Sequence, residues 1–384
     1  MKTETVKGFK DFTGSEAQKR AVVREVIRQT FERYGFLPVE TPIIEYEEFV
    51  KGDNEKDEAV SDIFKLQDKG KRKLALRYEF TFQLKRLMKN QKLPFKRYQI
   101  GPVFRDEPVS ANRFRQFTQC DVDTGGATIK DEAEIIALTS EILKTLKIDS
   151  VIYFNNRKLI NEILDELKVS KKEEVIREID KLDKLSEKEV RENLKKLNAE
   201  ELLPIIKKDK SYFKKYSSFK EIEELEKYCR DFGVKAVFVP SLARGLSYYN
   251  RTVYEVKTKK MEETIVGGGS YIFNDVQFTG ISFGLERVSA LTNLVLKIEK
   301  YLVVSLNKDK EAISLANKLR KQGKNVTIFY GKPSKALEYA NSYGIKKVIF
   351  VGAKEVKQKK FRVKNMINGR ERFVVVKQRK VVGV

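Results

Sequence analysis

Histidine is absent from all 384 residues of the chain, and tryptophan is absent as well. Without an imidazole, the protein cannot carry a Ser-His-Asp or Cys-His catalytic centre or an HExxH metal site. A chance absence, or a compositional bias that also removed tryptophan, is enough to explain this. The absence therefore excludes several kinds of site but does not by itself indicate a function.

Cysteine is scarce, since only Cys120 and Cys229 occur. Two cysteines cannot form a disulfide framework or, without histidine, a Cys/His zinc site. The sequence also lacks an apolar run long enough to span a bilayer and a GxxxxGK[ST] phosphate loop. We therefore expect a soluble cytoplasmic protein with no signal peptide and no membrane contact, in which any bound ATP is held by side chains.

Positive charge is in excess, with 78 Lys and Arg against 55 Asp and Glu and a formal charge of +23. This excess favours a polyanionic partner such as nucleic acid, although lysine-rich surfaces also occur in heat-adapted proteins. Between Lys354 and Lys380 there are eleven basic residues and two acidic ones. That stretch is either a face that binds phosphates or a solvated hairpin.

Hydrophobic periodicity predicts a long amphipathic first helix. A capping box of Ser15 and Gln18 precedes Val23 and Ile27 at helical spacing, and Gly35 ends the pattern. The proline-interrupted stretch FLPVETPII is typical of an edge or interface strand. From Leu74 to Asp123 the pattern predicts strand, helix, strand, polar loop and strand, with the last two strands forming an antiparallel pair.

The composition changes twice further along the chain. Residues 158–232 are rich in Lys, Glu and Leu, with Val175, Ile179 and Leu182 on one helical face and a capping box at Ser186 and Glu189, which indicates an inserted helical unit. Strand patterns then return. After about residue 298, strands and helices alternate as in a parallel βαβ unit, and Asn368-Gly369 turns a final hairpin.

These patterns predict an α+β domain with an antiparallel sheet flanked by helices, a helical insertion, and a C-terminal α/β domain. The predicted boundaries are 1–157 and 233–297 for the two parts of the first domain, 158–232 for the insertion and 298–384 for the last domain. Four arginines are candidates to hold a triphosphate and to stabilise charge that develops at phosphorus, namely Arg105, Arg113, Arg244 and Arg287. Surface ion pairs are the alternative explanation for each of them.

Five motifs in this order resemble those of the histidyl-tRNA synthetases, a family of class II aminoacyl-tRNA synthetases, in their archaeal and eukaryotic type. GFKDF with ETPIIE is similar to the start and motif 1 of the family, and LRYEFT to its amino-acid loop. GPVFRDE and RFRQFTQCDVD resemble motif 2, SLARGLSYYNRTVYE resembles a stretch peculiar to histidyl enzymes, and GISFGLERV resembles motif 3. The resemblance runs nearly from end to end.

The resemblance implies a role for each matching residue. The histidine site would be formed by Tyr78, Glu79, Phe80, Thr81, Arg105, Gln119, Asp123, Arg244, Tyr248, Tyr249 and Tyr271. Among these, Glu79, Thr81 and Gln119 would take the α-amino group, while Asp123 and Tyr249 would face opposite nitrogens of the ring. The ATP site would be formed by Arg105, Glu107, Arg113, Phe117 and Arg287, with Phe117 stacked on adenine unless it is an ordinary core aromatic.

Catalysis is assigned by the same resemblance to Arg105 and Arg244. Arg244 would stabilise the pentavalent α-phosphate, and no general base is needed because the attacking carboxylate is already ionised. Mg²⁺ would accompany ATP, with Glu107 near it, although the sequence identifies no certain metal ligand. The expected partners are L-histidine, ATP, tRNA(His) bound through a C-terminal anticodon-binding domain, and a second copy of the chain.

The sequence departs from the family pattern at Ser247 in RGLSYY, at Ser270 and Ile272 in GGGSYI, and at Pro108 and Asn112 in the motif 2 loop. A catalytically silent paralogue that regulates histidine biosynthesis is therefore an alternative. Such paralogues usually lack the C-terminal domain and the catalytic arginines, and this chain has both. A basic RNA-binding module without activity is the third hypothesis.

Overall fold

A computed structural model describes residues 1–52, 60, 62–110, 112–183, 185–244, 248–294 and 299–374. The chain divides into two compact units, Met1–Leu294 and Val295–Val384. Each unit has its own sheet and its own buried apolar core.

The helices of the first unit are α1 (Gly14–Arg33), α2 (Glu47–Lys51), α3 (Leu84–Leu87), α4 (Ile129–Thr145), α5 (Arg157–Glu166), α6 (Lys172–Asp180), α7 (Glu187–Lys195), α8 (Leu202–Ile205), α9 (Phe219–Asp231) and α10 (Leu285–Leu291). Its strands are β1 (Leu37–Pro38), β2 (Ile44–Tyr46), β3 (Lys65–Gln67), β4 (Lys73–Leu76), β5 (Phe95–Phe104), β6 (Gln116–Gly125), β7 (Val151–Asn156), β8 (Val237–Phe238), β9 (Tyr249–Thr258), β10 (Met261–Phe273) and β11 (Val276–Gly284). Short 3₁₀ turns follow α3 and α6 and precede α9.

Among the described residues, eight of these strands form one sheet in the order β1-β5-β6-β11-β10-β9-β7-β8. The six central strands are antiparallel, as the sequence predicts. The short edge strands β1 and β8 pair in parallel with β5 and β7, so the sheet as a whole is mixed. A smaller antiparallel sheet has the order β2-β4-β3.

Helix α1 buries Val23, Ile27 and Phe31 against the large sheet, as its periodicity predicts. The predicted capping box at Ser15 and Gln18 is wrong. The helix begins two residues earlier, at Gly14, so that both residues lie inside the helix and Thr13 is the N-cap residue. The helix ends as predicted, because Gly35 has a φ of +81°, a left-handed conformation that suits glycine.

The segment between β4 and β5 is less regular than its pattern predicts. Strand β4 ends at Leu76, and the side chain of Arg77 donates to the backbone carbonyls of Thr41 and Pro102, at 2.8 Å in each case. Arg77 also keeps two backbone bonds, since its N–H donates to the Ile43 carbonyl and its carbonyl accepts from the Phe104 N–H, each at 3.0 Å, but no strand continues over residues 78–80. The predicted helix over 81–90 is only the single turn α3 followed by a 3₁₀ turn.

The lysine- and glutamate-rich region is helical, as predicted, and Ser186 and Glu189 do form a capping box at α7. Val175 and Ile179 are buried and Leu182 is partly buried. Their apolar cluster is continuous with the core beneath the large sheet. A separate core therefore does not mark this region, and its division into a domain of its own stays a prediction.

The second unit is an α/β domain, as predicted. Its elements are β12 (Lys300–Ser305), α11 (Asp309–Lys321), β13 (Asn325–Tyr330), α12 (Pro333–Ser342), β14 (Lys347–Val351), α13 (Ala353–Gln358), β15 (Phe361–Asn365) and β16 (Glu371–Val374). Strands β13, β12 and β14 are parallel, and β15 and β16 form the predicted hairpin at Asn368-Gly369. The basic stretch that extends to Lys380 continues outside the described residues.

A search for membrane-spanning helices in the described ranges gives no candidate of sufficient length and apolar character.

Candidate active site

A cavity of about 180 Å³ lies in the first unit, over the centre of the large sheet. Its lining comes from the four central strands β6, β9, β10 and β11, from the segment after β4, from the residue that follows β5 and from the residues before β9. These lining residues are Tyr78, Glu79, Thr81, Arg105, Gln119, Asp121, Asp123, Arg244, Tyr248, Tyr249, Gly267, Gly268, Gly269, Tyr271, Gly280, Ile281 and Ser282. Most of the predicted histidine site is thereby brought together in one place.

Strand β6 supplies three polar side chains to this cavity at a spacing of two residues, namely Gln119, Asp121 and Asp123. Residues two apart on a strand point to the same face, which is why the three lie together. Antiparallel pairing with β11 sets Asp121 opposite Ser282 and Asp123 opposite Gly280. All three β6 side chains are more than nine-tenths buried.

Two glycines make room for charged groups in the cavity wall. A Cβ on Gly280 would overlap the Asp123 carboxylate, and a Cβ on Gly267 would overlap the Arg244 guanidinium. Any larger residue at either position would therefore displace a group that lines the cavity.

Asp123 is held in a buried ion pair that the sequence did not lead us to predict. Arg97, on the neighbouring strand β5, is fully buried and places Nη2 2.7 Å from Asp123 Oδ2. The hydroxyl of Tyr271 donates to Asp123 Oδ1 at 2.6 Å. The register sets Arg97 directly opposite Asp123, so strand pairing could have suggested this partner once the pairing was known.

Three tyrosines lie beside this carboxylate. The ring of Tyr248 is 4.7 Å from that of Tyr249 and 5.3 Å from that of Tyr271, centroid to centroid. Burial raises the pKa of Tyr248 and of Tyr271 well above the ordinary value, so both are neutral phenols that can donate or accept a hydrogen bond.

The segment after β4 contributes a buried carboxylate. Glu79 accepts a hydrogen bond from the backbone N–H of Phe82 at 3.0 Å. Burial raises the pKa of Glu79, whereas the Thr81 hydroxyl, that N–H and the charge of Arg105 act in the opposite direction. The backbone carbonyl of Tyr78 accepts from Arg105 Nε at 3.1 Å, which ties this segment to motif 2.

Phe80 is placed differently from the other predicted histidine-site residues. Its side chain is fully buried and does not line the cavity. The Arg77 guanidinium carbon lies 4.7 Å from its ring centroid, and its carbonyl accepts from Arg97 Nη2 at 3.3 Å. Phe80 therefore packs beneath the segment that carries Glu79.

Asp121 is a cavity residue to which the motifs assigned no role. The Ser282 hydroxyl donates to Asp121 Oδ1, and the Gln119 amide nitrogen donates to Ser282 Oγ at 2.9 Å. Burial raises the pKa of Asp121 to about 8, against the lowering effects of Ser282 and Arg97, while the charges of Asp123 and Glu79 raise it further. The two-residue spacing with Asp123 was the signal that could have identified it.

The predicted ATP residues form a group around the motif 2 loop. Glu107 is ion-paired with Arg113, and its carboxylate lies 3.9 Å from Arg105 Nη1. Arg287 donates to the carbonyl of Thr264 at 2.6 Å and to that of Asn112, in the same loop, at 3.4 Å. Of these residues, only Arg105 also lines the cavity.

Three positively charged side chains, Arg105, Arg113 and Arg287, lie near this loop. Burial lowers the pKa of Arg287, with Glu263 opposing that effect and the positive charges of Arg113 and Arg105 adding to it. Three guanidinium groups within electrostatic reach of each other favour an anion between them. The Arg105 guanidinium carbon also lies 5.2 Å from the ring centroid of Phe117, which is partly exposed.

Arg244 reaches the cavity from a left-handed backbone conformation, with a φ of +57°. Its Nη1 lies 3.4 Å from Glu255 Oε1, and its buried Nε has no hydrogen-bond partner in the described part of the chain. Burial lowers the pKa of this guanidinium, but the neighbouring Tyr249 and Glu255 outweigh that effect and the net shift is upward. Arg244 therefore stays charged.

The departures from the family pattern lie outside the cavity where the structure describes them. Ser270 is buried and donates to Glu132 Oε1 at 2.6 Å, whereas Ile272 is 53% exposed. Asn112 contacts Arg287 through its backbone only. Ser247, with Gly245 and Leu246, lies outside the described residues.

Comparison with known proteins relates both parts of the chain to known families. The family model described as histidyl-tRNA synthetase matches residues 8–288, and one described as an anticodon binding domain matches residues 300–382. A protein of Shouchella clausii named histidine--tRNA ligase 2 is 33% identical, over 97% of this chain and 98% of its own length.

Solved structures resemble the whole chain. The crystal structure of histidyl-tRNA synthetase from Nostoc sp. PCC 7120 is 26% identical, with a TM-score of 0.85 over 98% of this chain and 97% of that one. A Bacillus halodurans structure, titled as an ATP phosphoribosyltransferase regulatory subunit/histidyl-tRNA synthetase, has a TM-score of 0.77 over 91% of this chain and 98% of that one. At 20% identity, this second likeness shows the fold alone. The relatives named here are bacterial, and the archaeal and eukaryotic type stays a prediction.

Proposed function

Because the chain belongs to the histidyl-tRNA synthetase family, we propose that it is a class II aminoacyl-tRNA ligase that activates histidine with ATP and transfers the histidyl group to the 3′ end of tRNA(His). The observation that carries this proposal is the composition of one cavity. Asp123 and three tyrosines line it together with Arg105 and Arg244. Groups for an imidazole ring and groups for a phosphate thus share one space.

The imidazole ring is recognised by acids and phenols. Asp123 accepts from one ring N–H and Tyr249 faces the other nitrogen, while Tyr248 and Tyr271 close the pocket. The carboxylate oxygens of Asp123 keep free lone pairs after bonding to Arg97 and Tyr271, since each oxygen offers about two acceptor sites. An enzyme that binds histidine in this way needs no histidine of its own.

The two ends of the amino-acid backbone of the substrate are held separately. Glu79, Thr81 and Gln119 accept from the α-ammonium, and Arg105 pairs with the carboxylate. The hydrogen bond from Arg105 to the Tyr78 carbonyl fixes the carboxylate subsite relative to the segment that carries Glu79 and Thr81. Phe80 supports the segment from beneath, since its side chain is fully buried.

ATP is held by the arginines of motifs 2 and 3. Arg105 contacts the α-phosphate, Arg113 and Arg287 hold the γ-phosphate end, and Phe117 stacks on adenine. Arg113 is about half exposed and is paired with Glu107, so the incoming triphosphate exchanges one carboxylate partner for a phosphate. Such an exchange keeps the guanidinium paired at every stage.

Mg²⁺ is proposed to arrive bound to ATP. The described residues contain no group of three or more side chains suited to a metal, which fits an ion held mainly by phosphate oxygens and water. Glu107 would be the carboxylate near the ion. When bound, the ion neutralises charge on the leaving pyrophosphate.

The chemical step joins the two substrates directly. A carboxylate oxygen of histidine attacks the α-phosphorus, the bond to the β-phosphate oxygen breaks, and pyrophosphate leaves with that electron pair. Arg244 stabilises the charge on the pentavalent α-phosphate, together with Arg105. The Nε of Arg244, which has no hydrogen-bond partner among the residues that the structure describes, is a donor for this purpose.

The tRNA is proposed to be held partly by the second unit, which matches an anticodon-binding family. Its hairpin carries Arg362, Lys364, Arg370 and Arg372, which suit a phosphate backbone. A homodimer is proposed on the exposed apolar side chains of β1 and β2, with Leu37, Ile44 and Tyr46 each at least half exposed. The proposed location is the cytoplasm.

Amino-acid-dependent exchange of pyrophosphate into ATP, measured with all twenty amino acids, tests the proposal. Exchange with histidine alone, followed by aminoacylation of tRNA(His), is the expected result. Absence of exchange with intact tRNA binding would instead indicate the RNA-binding module or a silent regulatory paralogue. The presence of all four arginines favours activity over silence.

A further inference from the structure

The amide of Gln119 is held by a chain of two hydrogen bonds that starts at Asp121. Ser282 Oγ donates to Asp121 Oδ1 at 2.5 Å, and Gln119 Nε2 donates to Ser282 Oγ at 2.9 Å. Gln119 is only 8% exposed, and its Oε1 is buried without a hydrogen-bond partner among the described residues. An unpaired buried oxygen beside a cavity needs a donor from a ligand.

The direction of this chain follows from proton counting. A serine hydroxyl has one proton, and here that proton goes to Asp121. Ser282 Oγ can then only accept from Gln119, which must turn its NH₂ group toward Ser282. The amide oxygen of Gln119 is the atom left to meet a ligand.

We propose that Asp121 and Ser282 are positioning residues that fix the Gln119 amide with its oxygen available to the α-ammonium group of the substrate. This inference rests on the proposed function and concerns how the enzyme tells an amino acid from its deaminated analogue. Without the chain, the amide is free to flip and to present NH₂ donors, which an ammonium group cannot use. Selection for the amino group then weakens.

The charge state of Asp121 is consistent with this role. Burial raises the pKa of its carboxyl to about 8. The positive charges of Arg97 and Arg77 act to lower that pKa, and the negative charges of Asp123 and Glu79 act to raise it. Oδ1 accepts from Ser282 when the carboxyl is ionised, whereas a carboxyl protonated on Oδ1 would donate to Ser282 and reverse the chain. An ammonium group nearby favours the ionised form, which cannot donate back and so fixes the direction of the chain.

Equilibrium binding of histidine and of 3-(imidazol-4-yl)propionate, which lacks the amino group, tests the proposal on the full chain. Asp121→Asn and Ser282→Ala should each weaken histidine binding about tenfold, the scale of one lost charge-assisted hydrogen bond, and should change binding of the propionate less than about twofold. Asp309→Asn is the matched control, because Ser305 donates to Asp309 at 2.6 Å in the second unit, far along the chain from the cavity residues.

A Gln119→Met background separates positioning from direct contact. If Asp121 acts through Gln119, then neither Asp121→Asn nor Ser282→Ala weakens histidine binding further in that background. Additive effects would overturn the proposal, because Asp121 would then bind the ammonium itself. Equal weakening of histidine and the propionate would overturn it as well, since that result indicates a general loss of structure.

Two outcomes keep this inference apart from the proposed function. Ser282→Ala removes a single oxygen and carries the test even if Asp121→Asn does not fold. If the wild-type chain exchanges pyrophosphate with histidine and neither variant changes the selectivity for the amino group, only the positioning role is contradicted. A wild-type chain that binds no histidine contradicts both.

Discussion

Glu255 lies 3.4 Å from Arg244 through one carboxylate oxygen and 3.4 Å from Lys257 through the other. Lys257 is in turn ion-paired with Asp183, in the 3₁₀ turn after α6. The arginine assigned to the chemical step is thus connected, through two charged side chains of β9, to the lysine- and glutamate-rich helical region. Glu255 is 5% exposed, so its carboxylate is shielded from water, whereas the Lys257–Asp183 pair lies at the surface.

Glu255→Gln should slow adenylate formation about tenfold while leaving the binding of histidine and ATP within about twofold, because an amide holds the Arg244 guanidinium less firmly than a carboxylate. Single-turnover rates measure the effect. Lys257→Met is the control, since it removes another charged partner of Glu255 without touching Arg244, and a smaller effect is expected. Equal effects of the two variants would argue against a direct role of the Glu255–Arg244 contact.

Arg244→Ala should slow adenylate formation by a factor of about a hundred or more, the scale seen when one preorganised charge donor is lost, with substrate binding changed by less than about tenfold. The reason is that Arg244 acts on charge that develops only during attack at the α-phosphorus. An unchanged single-turnover rate would assign Arg244 a structural role instead.

Asp123→Asn should both weaken selection for histidine and destabilise the fold, because it leaves the fully buried Arg97 without its carboxylate partner. Breaking a buried pair in this way costs about 3–5 kcal/mol in the free energy of unfolding. Tyr271→Phe is the matched variant, since it removes the other bond to Asp123 but leaves the ion pair in place. Denaturant unfolding and exchange assays with competing amino acids measure the two effects, and a stable Asp123→Asn variant with unchanged selectivity would contradict the assignment.

The free energy of unfolding should depend on pH through the titration of Asp121. Its pKa is raised from 3.8 to about 8 by burial, so the stabilisation from its protonated form is fully present below 3.8 and is lost as pH rises through about 8. Asp121→Asn should therefore flatten the fall in unfolding free energy over this range. Glu79, whose pKa is also raised by burial, remains in the variant, and an unchanged slope would assign the fall to a group other than Asp121.

Removal of the residues after Leu294, where the first compact unit ends, should spare histidine-dependent pyrophosphate exchange, since every described residue of the cavity precedes that point. Aminoacylation of tRNA should fall sharply, and the steep salt dependence of tRNA binding should be partly lost. The molecular mass of the truncated protein is the control. Loss of exchange together with a change in mass would indicate that the second unit stabilises a dimer.

Local sequence was sufficient where a residue's neighbours decide its structure. The two-residue spacing of Gln119, Asp121 and Asp123 indicates one face of a strand, and β6 presents them so. The capping box at Ser186 and Glu189 forms for the same reason. By contrast, the strand pattern over 77–80 failed because Arg77 bonds to carbonyls 25 and 36 residues away, which no local pattern contains.

The partners of the candidate site residues also depend on distant pairing. Arg97 and Asp123 meet because β5 and β6 pair in one register, and Gln119 meets Ser282 across 163 residues. Sequence motifs indicated which residues belong to the site. They could not indicate which groups hold those residues in place, because such groups are chosen by sheet geometry.

The buried pairing of Arg97 with Asp123 also bears on the tautomer of the substrate. One guanidinium and one carboxylate cancel, so this corner of the cavity offers directional acceptors without net charge. Because the pair carries no net charge, it does not favour binding of a protonated, cationic ring over a neutral one. We therefore expect the enzyme to take up the uncharged imidazole, with the proton on whichever nitrogen faces Asp123, so that substrate is selected by proton position as well as by shape.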